Sequence, residues 1–168
     1  MNLILCGMMG CGKTTVGRAL AKTTGKSWRD TDDLIVEKHG KIAEIFARYG
    51  EARFREMETE TVRELSQKDN LIISTGGGLV LKTENVAFLK KKGRIVYLRA
   101  NLETLLGRLQ KDVQRPLLQA QESLSVRLTR LLTERSPIYE SVCDYVVDVD
   151  GKTPDEIVRE VVAWVDGR

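Results

Sequence analysis

The stretch GMMGCGKT, residues 7–14, follows directly on the apolar run Asn2-Leu3-Ile4-Leu5-Cys6. Its frame Gly7-x-x-x-x-Gly12-Lys13-Thr14 fits the phosphate-binding loop pattern in full. The spacing has a physical reason. Glycines let the backbone turn tightly and aim successive N–H groups at one point. The helix that follows presents its positive end to the same anion. A lysine at position 13 reaches the β- and γ-phosphates, and a Thr14 hydroxyl can ligate Mg²⁺. A strand before the loop and a helix after it predict an α/β fold whose first ligand is a nucleoside triphosphate.

The pattern continues outward as alternating strands and helices. Leu3–Cys6 reads as a buried strand, and Thr14–Thr24 as a helix with Val16, Ala19 and Leu20 on one face. Ser27–Asp30 is a shorter strand. Asp33–Lys38 and Ile42–Arg48 read as short helices around Gly40, and Glu51–Lys68 as a long amphipathic one. Leu71–Ser74 is a second clear strand, closed by Gly76-Gly77-Gly78. Thr83–Lys91 reads as a helix capped by Gly93, then Arg94–Leu98 as a strand and 101–109 as a helix capped by Asn101. Residues 111–122 are polar and weakly periodic, so they read as a loop, and a long loop in a compact domain is often a lid. Leu124–Glu134 reads as a helix ending at Pro137. Tyr145–Val149 is the last strand, and Pro154–Val165 the last helix, capped by Thr153. This alternation predicts a largely parallel sheet covered on both faces. No internal repeat or interdomain linker breaks it, so residues 1–168 are expected to form a single domain.

Composition narrows the class of function. The 168 residues carry a net charge of only +3, without the clustered basic bias of a nucleic-acid binder. The run Lys90-Lys91-Lys92 reads as a solvated helix end. No apolar run approaches the ~20 residues of a membrane span. Cys6, Cys11 and Cys143 show no metal-ligand spacing and fit a reducing compartment. A cytoplasmic protein is expected, acting on small molecules and not on nucleic acid or a membrane.

The acceptor of the phosphate must be sought elsewhere in the chain. Asp30-Thr31-Asp32-Asp33 closes the second strand, where open α/β sheets bind ligands. Asp30 can hold a metal through water and Asp32 can orient or deprotonate a hydroxyl; equally, Thr31–Asp33 can simply cap the next helix. Arg55 is either a ligand group or one arginine on a solvated helix face. Gly76-Gly77-Gly78 offers close backbone approach and free N–H donors, or a flexible turn. Arg115, in the expected lid, can close over a transferring phosphate. Arg135 can grip a carboxylate in a two-point fork, or pair with its own helix's last carbonyls. The sole histidine, His39, reads as a surface residue.

Taken in order, these features resemble the shikimate kinase family across essentially the full chain: the phosphate loop, Asp30-Thr31-Asp32, Gly50-Glu51 leading to Phe54-Arg55, Gly76-Gly77-Gly78, Arg115-Pro116-Leu117, and Arg135 before Pro137 and Tyr139. The resemblance implies a three-layer α/β/α fold, P-loop NMP-kinase-like, with a five-stranded parallel sheet of order 2-3-1-4-5. It implies transfer of the ATP γ-phosphoryl group to the 3-hydroxyl of shikimate, with Mg²⁺ as cofactor, in a monomeric bacterial enzyme. Gly7, Gly10, Cys11, Gly12, Lys13, Thr14 and Thr15 would serve ATP, with Arg108 and Pro154 bracketing adenine and Arg115 on the phosphate from a lid at about 111–122. Thr14 would ligate the metal, with Asp30 in its outer shell. Asp32, Arg55, Gly76, Gly77, Gly78 and Arg135 would bind shikimate, in part from a helical region at about 32–60. Lys13, Asp32 and Arg115 would carry the chemistry. Shikimate's carboxylate and three hydroxyls match two arginines, an aspartate and backbone donors. The alternatives are another small-molecule kinase, such as one acting on gluconate, a nucleotide-binding module without transfer, and an NMP kinase. The Asp30-Thr31-Asp32, Arg55 and triple-glycine set argues against the first, and an intact Lys13 and Thr14 against the second. No base-reading pocket is legible for the third.

Overall fold

The computed structural model describes residues 1–111 and 123–167. The elements are β1 (Asn2–Cys6), α1 (Lys13–Thr24), β2 (Ser27–Asp30), α2 (Thr31–His39), α3 (Ile42–Leu65), β3 (Leu71–Ser74), α4 (Thr83–Lys90), β4 (Gly93–Arg99), α5 (Leu102–Lys111), α6 (Leu124–Val142), β5 (Tyr145–Asp148) and α7 (Pro154–Asp166). A 3₁₀ turn, Leu79–Leu81, precedes α4. The strands form one parallel sheet of order β2-β3-β1-β4-β5. Every residue of the central strands β1 and β3 is buried, whereas edge strand β2 is exposed or half-buried throughout. That is the pattern of a sheet covered on both faces.

The strand order fixes the layers. The chain runs from β1 out to the edge strand β2, back to β3, then past β1 to β4 and β5. Parallel crossovers are right-handed, so crossovers running in opposite directions lie on opposite faces. α1 therefore stands on one face, where α7 joins it, while α3 packs with α4 and α5 with α6 on the other. The direction changes between the neighbours β1 and β3. Their C-terminal ends open a crevice, the usual ligand position in such sheets. The loop after β1 is the glycine-rich stretch 7–12, and the loop after β3 is Thr75–Gly78.

Two elements differ from the sequence expectation. Gly93 does not cap α4; it opens β4, pairs with Asn2, and has no room for a side chain against Asn2 and Ile4. The two helices expected at Ile42–Arg48 and Glu51–Lys68 make up α3 and meet at a kink at Gly50, whose backbone (φ 78°, ψ 173°) is not helical. Both parts of α3 share with α2 a small separate core of Ile35, Ile45, Phe54 and Met57. Helix α6 does not end at Pro137 but runs through it to Val142. An interior proline costs about 3 kcal/mol, and the anchoring of Tyr139, two residues on, offsets that cost. Tyr139 is fully buried and its hydroxyl donates to the Gly77 carbonyl at 2.6 Å. Arg135 is therefore mid-helix, and the pairing with terminal carbonyls falls away.

Candidate active site

The phosphate loop leaves β1 at Gly7, whose φ of +142° and closeness to the Leu98 carbonyl admit no side chain. Gly12, at φ +101°, caps α1 without a side-chain acceptor, and the first turn holds no acid. The open N–H groups and the helix's positive end thus face one point. The Lys13 ammonium bridges the loop, donating to the carbonyls of Gly7 (2.8 Å) and Met8 (2.9 Å). Cys11 is fully buried, its sulfur 3.7 Å from the same ammonium.

Across the crevice Asp30 does two jobs. One oxygen caps α2, accepting from the N–H groups of Asp32 (2.9 Å) and Asp33 (3.4 Å); the other accepts from the Thr14 hydroxyl at 3.4 Å. The cap is Asp30 and not Thr31–Asp33, and the Thr31 hydroxyl instead accepts from the Gly76 N–H at 2.9 Å. Asp32 is freed for the site. Its Oδ1 is buried without a hydrogen-bond partner among the described residues, and a Cβ at Gly76 would lie 2.8 Å from it. Burial, then the charge of Asp30, pushes the Asp32 carboxyl above the ordinary aspartate value of 3.8, with Lys13 opposing. Exposed Asp33 adds a smaller push in the same direction. Burial likewise raises Asp30.

The triple glycine is where charged side chains meet the backbone. The place a Cβ would take at Gly76 is crowded by Asp32 and by Glu58 Oε1 at 3.2 Å; at Gly77 by Arg135 Nη1 at 3.3 Å; at Gly78 by the Arg55 guanidinium. Arg55 is not on a solvated face. It donates to Glu58, whose side chain is 1% exposed, at 2.7 Å and to Glu51 at 3.2 Å. The loop is not a flexible turn either. Ser74 donates to the Lys13 carbonyl, Thr75 bonds Leu5 through its N–H and its hydroxyl, and Tyr139 holds Gly77. Since Thr31 takes the Gly76 N–H, the expected free donors reduce to Gly77 and Gly78.

A cleft of about 660 Å³ joins these parts. Gly10, Cys11, Gly12, Lys13, Thr14 and Thr15 line it from the loop side, Asp30, Asp32, Gly76, Gly77 and Arg135 from the other, and Arg108 and Pro154 at its outer end. Arg108 also donates to the Gly10 carbonyl at 3.3 Å. Gly7, Gly78 and Arg55 are not among the residues that line it; the Arg55 guanidinium lies against Gly78, next in sequence to the lining Gly77. Arg115 and the expected lid lie outside the described residues. His39 is exposed. Sequence reading gave no role to Glu58 or Lys152, and none to Thr31 and Tyr139 beyond their place in the ordered motifs. Glu58 comes three residues after Arg55, the spacing of a helical ion pair, which was the available signal.

The comparisons with known proteins bear on this geometry. A family model described as shikimate kinase matches residues 9–166. The chain belongs to the shikimate kinase family. Shikimate kinase of Geobacter metallireducens is 42% identical over 168 residues, covering 99% of this chain and 93% of that protein. The shikimate kinase of Thermodesulfovibrio yellowstonii is 41% identical over 162 residues, 96% of this chain and 92% of its own. Among solved structures, Acinetobacter baumannii shikimate kinase in complex with shikimate superposes with a TM-score of 0.91 at 36% identity, over 99% of this chain and 93% of that one. The chain is thus a small-molecule kinase with the P-loop NMP-kinase-like fold that shikimate kinases share. Among the described residues no helix is long and apolar enough to cross a membrane.

Proposed function

We propose that this chain, working as one domain and as a monomer, transfers the ATP γ-phosphoryl group to the 3-hydroxyl of shikimate. The products are shikimate 3-phosphate and ADP, a step towards chorismate and aromatic amino acids. The observation that carries the reading is the convergence of Asp32, Arg135 and Arg55 on three consecutive glycines beside the phosphate loop. Two cations and one carboxylate around accessible backbone complement a carboxylated polyol.

The residues divide the work by position. Lys13 leaves its loop carbonyls to meet the β- and γ-phosphates, and the α1 N-terminus holds their charge. Arg55 and Arg135 clamp the acceptor's carboxylate. Asp32, raised by burial and lacking a partner on Oδ1 among the described residues, accepts the proton of the attacking hydroxyl. Arg108 and Pro154 border the base. Arg115 supplies charge to the transferring phosphoryl group from the lid. Phosphoryl transfer needs mainly such positioning and charge stabilisation.

The residues also fit Mg²⁺. That ion keeps several waters, takes phosphate oxygens and needs only one or two protein oxygens. The Thr14 hydroxyl and the Asp30 carboxylate, 3.4 Å apart at the loop's exit, are the residues that would hold it, Thr14 directly and Asp30 through water. When bound, Mg²⁺ would supply positive charge that offsets the negative charge of the transferring phosphoryl group. The location we infer for the enzyme is the cytoplasm.

A coupled assay of ADP release with ATP and Mg²⁺ tests the proposal. Shikimate should give turnover and gluconate none. Equal rates with both acceptors, or ATP hydrolysis indifferent to shikimate, would reject it.

A further inference from the structure

Tyr139 has no place in the reaction as described, yet its hydroxyl lies where the two loops of the site meet. It donates to the Gly77 carbonyl at 2.6 Å on the acceptor side. It lies 3.9 Å from the Met8 sulfur on the phosphate-loop side. Arg135 lies one turn earlier on α6, and its cation beside the hydroxyl opposes the rise that burial gives this phenol's pKa. The ring has no freedom to drift, being fully buried and packed on Tyr97 with centroids 5.1 Å apart. Viewed from Gly77, the Arg135 guanidinium, the Gly7 carbonyl and the Tyr139 hydroxyl all come within 3.8 Å of one point.

We propose that Tyr139 is a positioning residue that couples the nucleotide and acceptor half-sites. The inference rests on the reading of Gly77 and Arg135 as shikimate-binding. Without nucleotide, the Lys13 ammonium holds the carbonyls of Gly7 and Met8. Phosphates draw that ammonium away, and the Met8 end of the loop loses its donor. Met8 touches the Tyr139 hydroxyl, which cannot move without moving the Gly77 carbonyl and Arg135 with it. The change is therefore delivered to the groups that meet the acceptor's carboxylate. Because coupling between two binding equilibria is reciprocal, acceptor binding must shift nucleotide affinity by the same factor.

Titration calorimetry of shikimate with and without Mg²⁺·ADP measures that factor. The wild-type affinities should differ by about fivefold or more, the low end of ordinary coupling between sites. Tyr139→Phe keeps the ring and removes the hydroxyl. It should still bind each ligand alone, while the factor falls below about twofold. A Tyr139→Phe protein that keeps the wild-type factor, or a wild-type factor of one, overturns the inference and leaves the assigned reaction standing. Wild-type protein that fails to bind shikimate at all defeats the assigned reaction, and the inference with it. A loss of packing alone lowers the melting midpoint but does not abolish the factor. Should Tyr139→Phe not fold, the wild-type protein with ζ-¹³C tyrosine answers the same question. The Tyr139 signal, identified by replacing Tyr49, Tyr97 and Tyr145 in turn, should move on adding Mg²⁺·ADP alone; a signal that stays in place overturns the proposal.

Discussion

Gly78→Ala separates the fold of the acceptor loop from its chemistry. Gly78 has φ −93° and ψ −8°, an ordinary conformation for any residue. The backbone therefore accepts alanine, and the unfolded chain loses entropy, a stabilising effect of about 0.4–1 kcal/mol. The three atoms nearest the new methyl all belong to the Arg55 guanidinium, with Nη2 at 2.7 Å and Cζ at 2.8 Å, closer than van der Waals contact allows. A guanidinium is the far end of a flexible side chain, so it retreats and the loop does not. Its retreat pulls against Glu58, bound at 2.7 Å, and Glu51, at 3.2 Å. Stability should change little. Binding of the acceptor's carboxylate should change much, because a hydrogen bond to a charged group contributes about 1.5–3 kcal/mol. At about 1.4 kcal/mol per factor of ten, that is a rise of roughly 10- to 150-fold in KM for shikimate. KM for ATP should stay within about twofold, since the loop glycines that hold phosphate are untouched. Steady-state kinetics with each substrate varied, beside a melting curve, gives all three numbers. In an Arg55→Ala background the methyl has nothing to displace, so Gly78→Ala should add almost nothing there. A KM for shikimate within twofold of wild type in the single variant would refute the role of Arg55. A full effect persisting without Arg55 would refute the route.

Three further outcomes are expected from the same geometry. Arg115→Ala, at a position known only from sequence, should lower kcat on the order of 10³-fold with both KM values kept; stopped-flow phosphoryl transfer near the wild-type rate would return Arg115 to the surface. Asp32 must be ionised to take a proton and its carboxyl is raised, so kcat/KM should fall as pH drops, along a limb centred above 3.8; Asp33→Asn removes a charge that raises Asp32, so the limb should move to lower pH, and a move to higher pH would contradict the assignment. Arg108→Ala should weaken ATP by a few-fold, about 0.5–1 kcal/mol for a cation over an exposed ring, with KM for shikimate unchanged.

The features legible in the sequence were set by local chemistry. Leu71–Ser74 was read to the residue, because an apolar run between turn formers has few other solutions; the edge strand Ser27–Asp30, polar at three of its four positions, was also read to the residue. Thr153 with Pro154 marked the start of α7, which opens with a full capping box to Glu156. The features that escaped depend on partners far along the chain. Pro137 ends a helix on propensity alone, and only the burial of Tyr139 against a loop 62 residues earlier explains why α6 continues. Glu58 reads as one of many charges on a helix until Arg55 and Gly76 are seen beside it. Asp30 and Asp32 could each have been the cap. The choice is made by geometry, since the β2 terminus gives Asp30 both the α2 N–H groups and Thr14.

The triple glycine shows why composition misleads about rigidity here. Three glycines in a row invite the reading of a hinge, since each has more freedom to lose than any other residue. In this fold the side chains of neighbouring elements remove that freedom. Ser74 ties the strand end to the first turn of α1, Thr75 ties it to β1, Thr31 takes the Gly76 N–H, and Tyr139 takes the Gly77 carbonyl. The glycines are needed for closeness, not for motion. Asp32, Arg135 and Arg55 occupy, at successive positions, the space three Cβ atoms would fill. Stabilisation of a charge that develops only during transfer requires groups already aimed, because reorganisation at that moment raises the barrier. A loop fixed on four sides and bare of side chains meets that requirement. The segment with the least local stiffness in the sequence thus becomes a firmly held edge of the site.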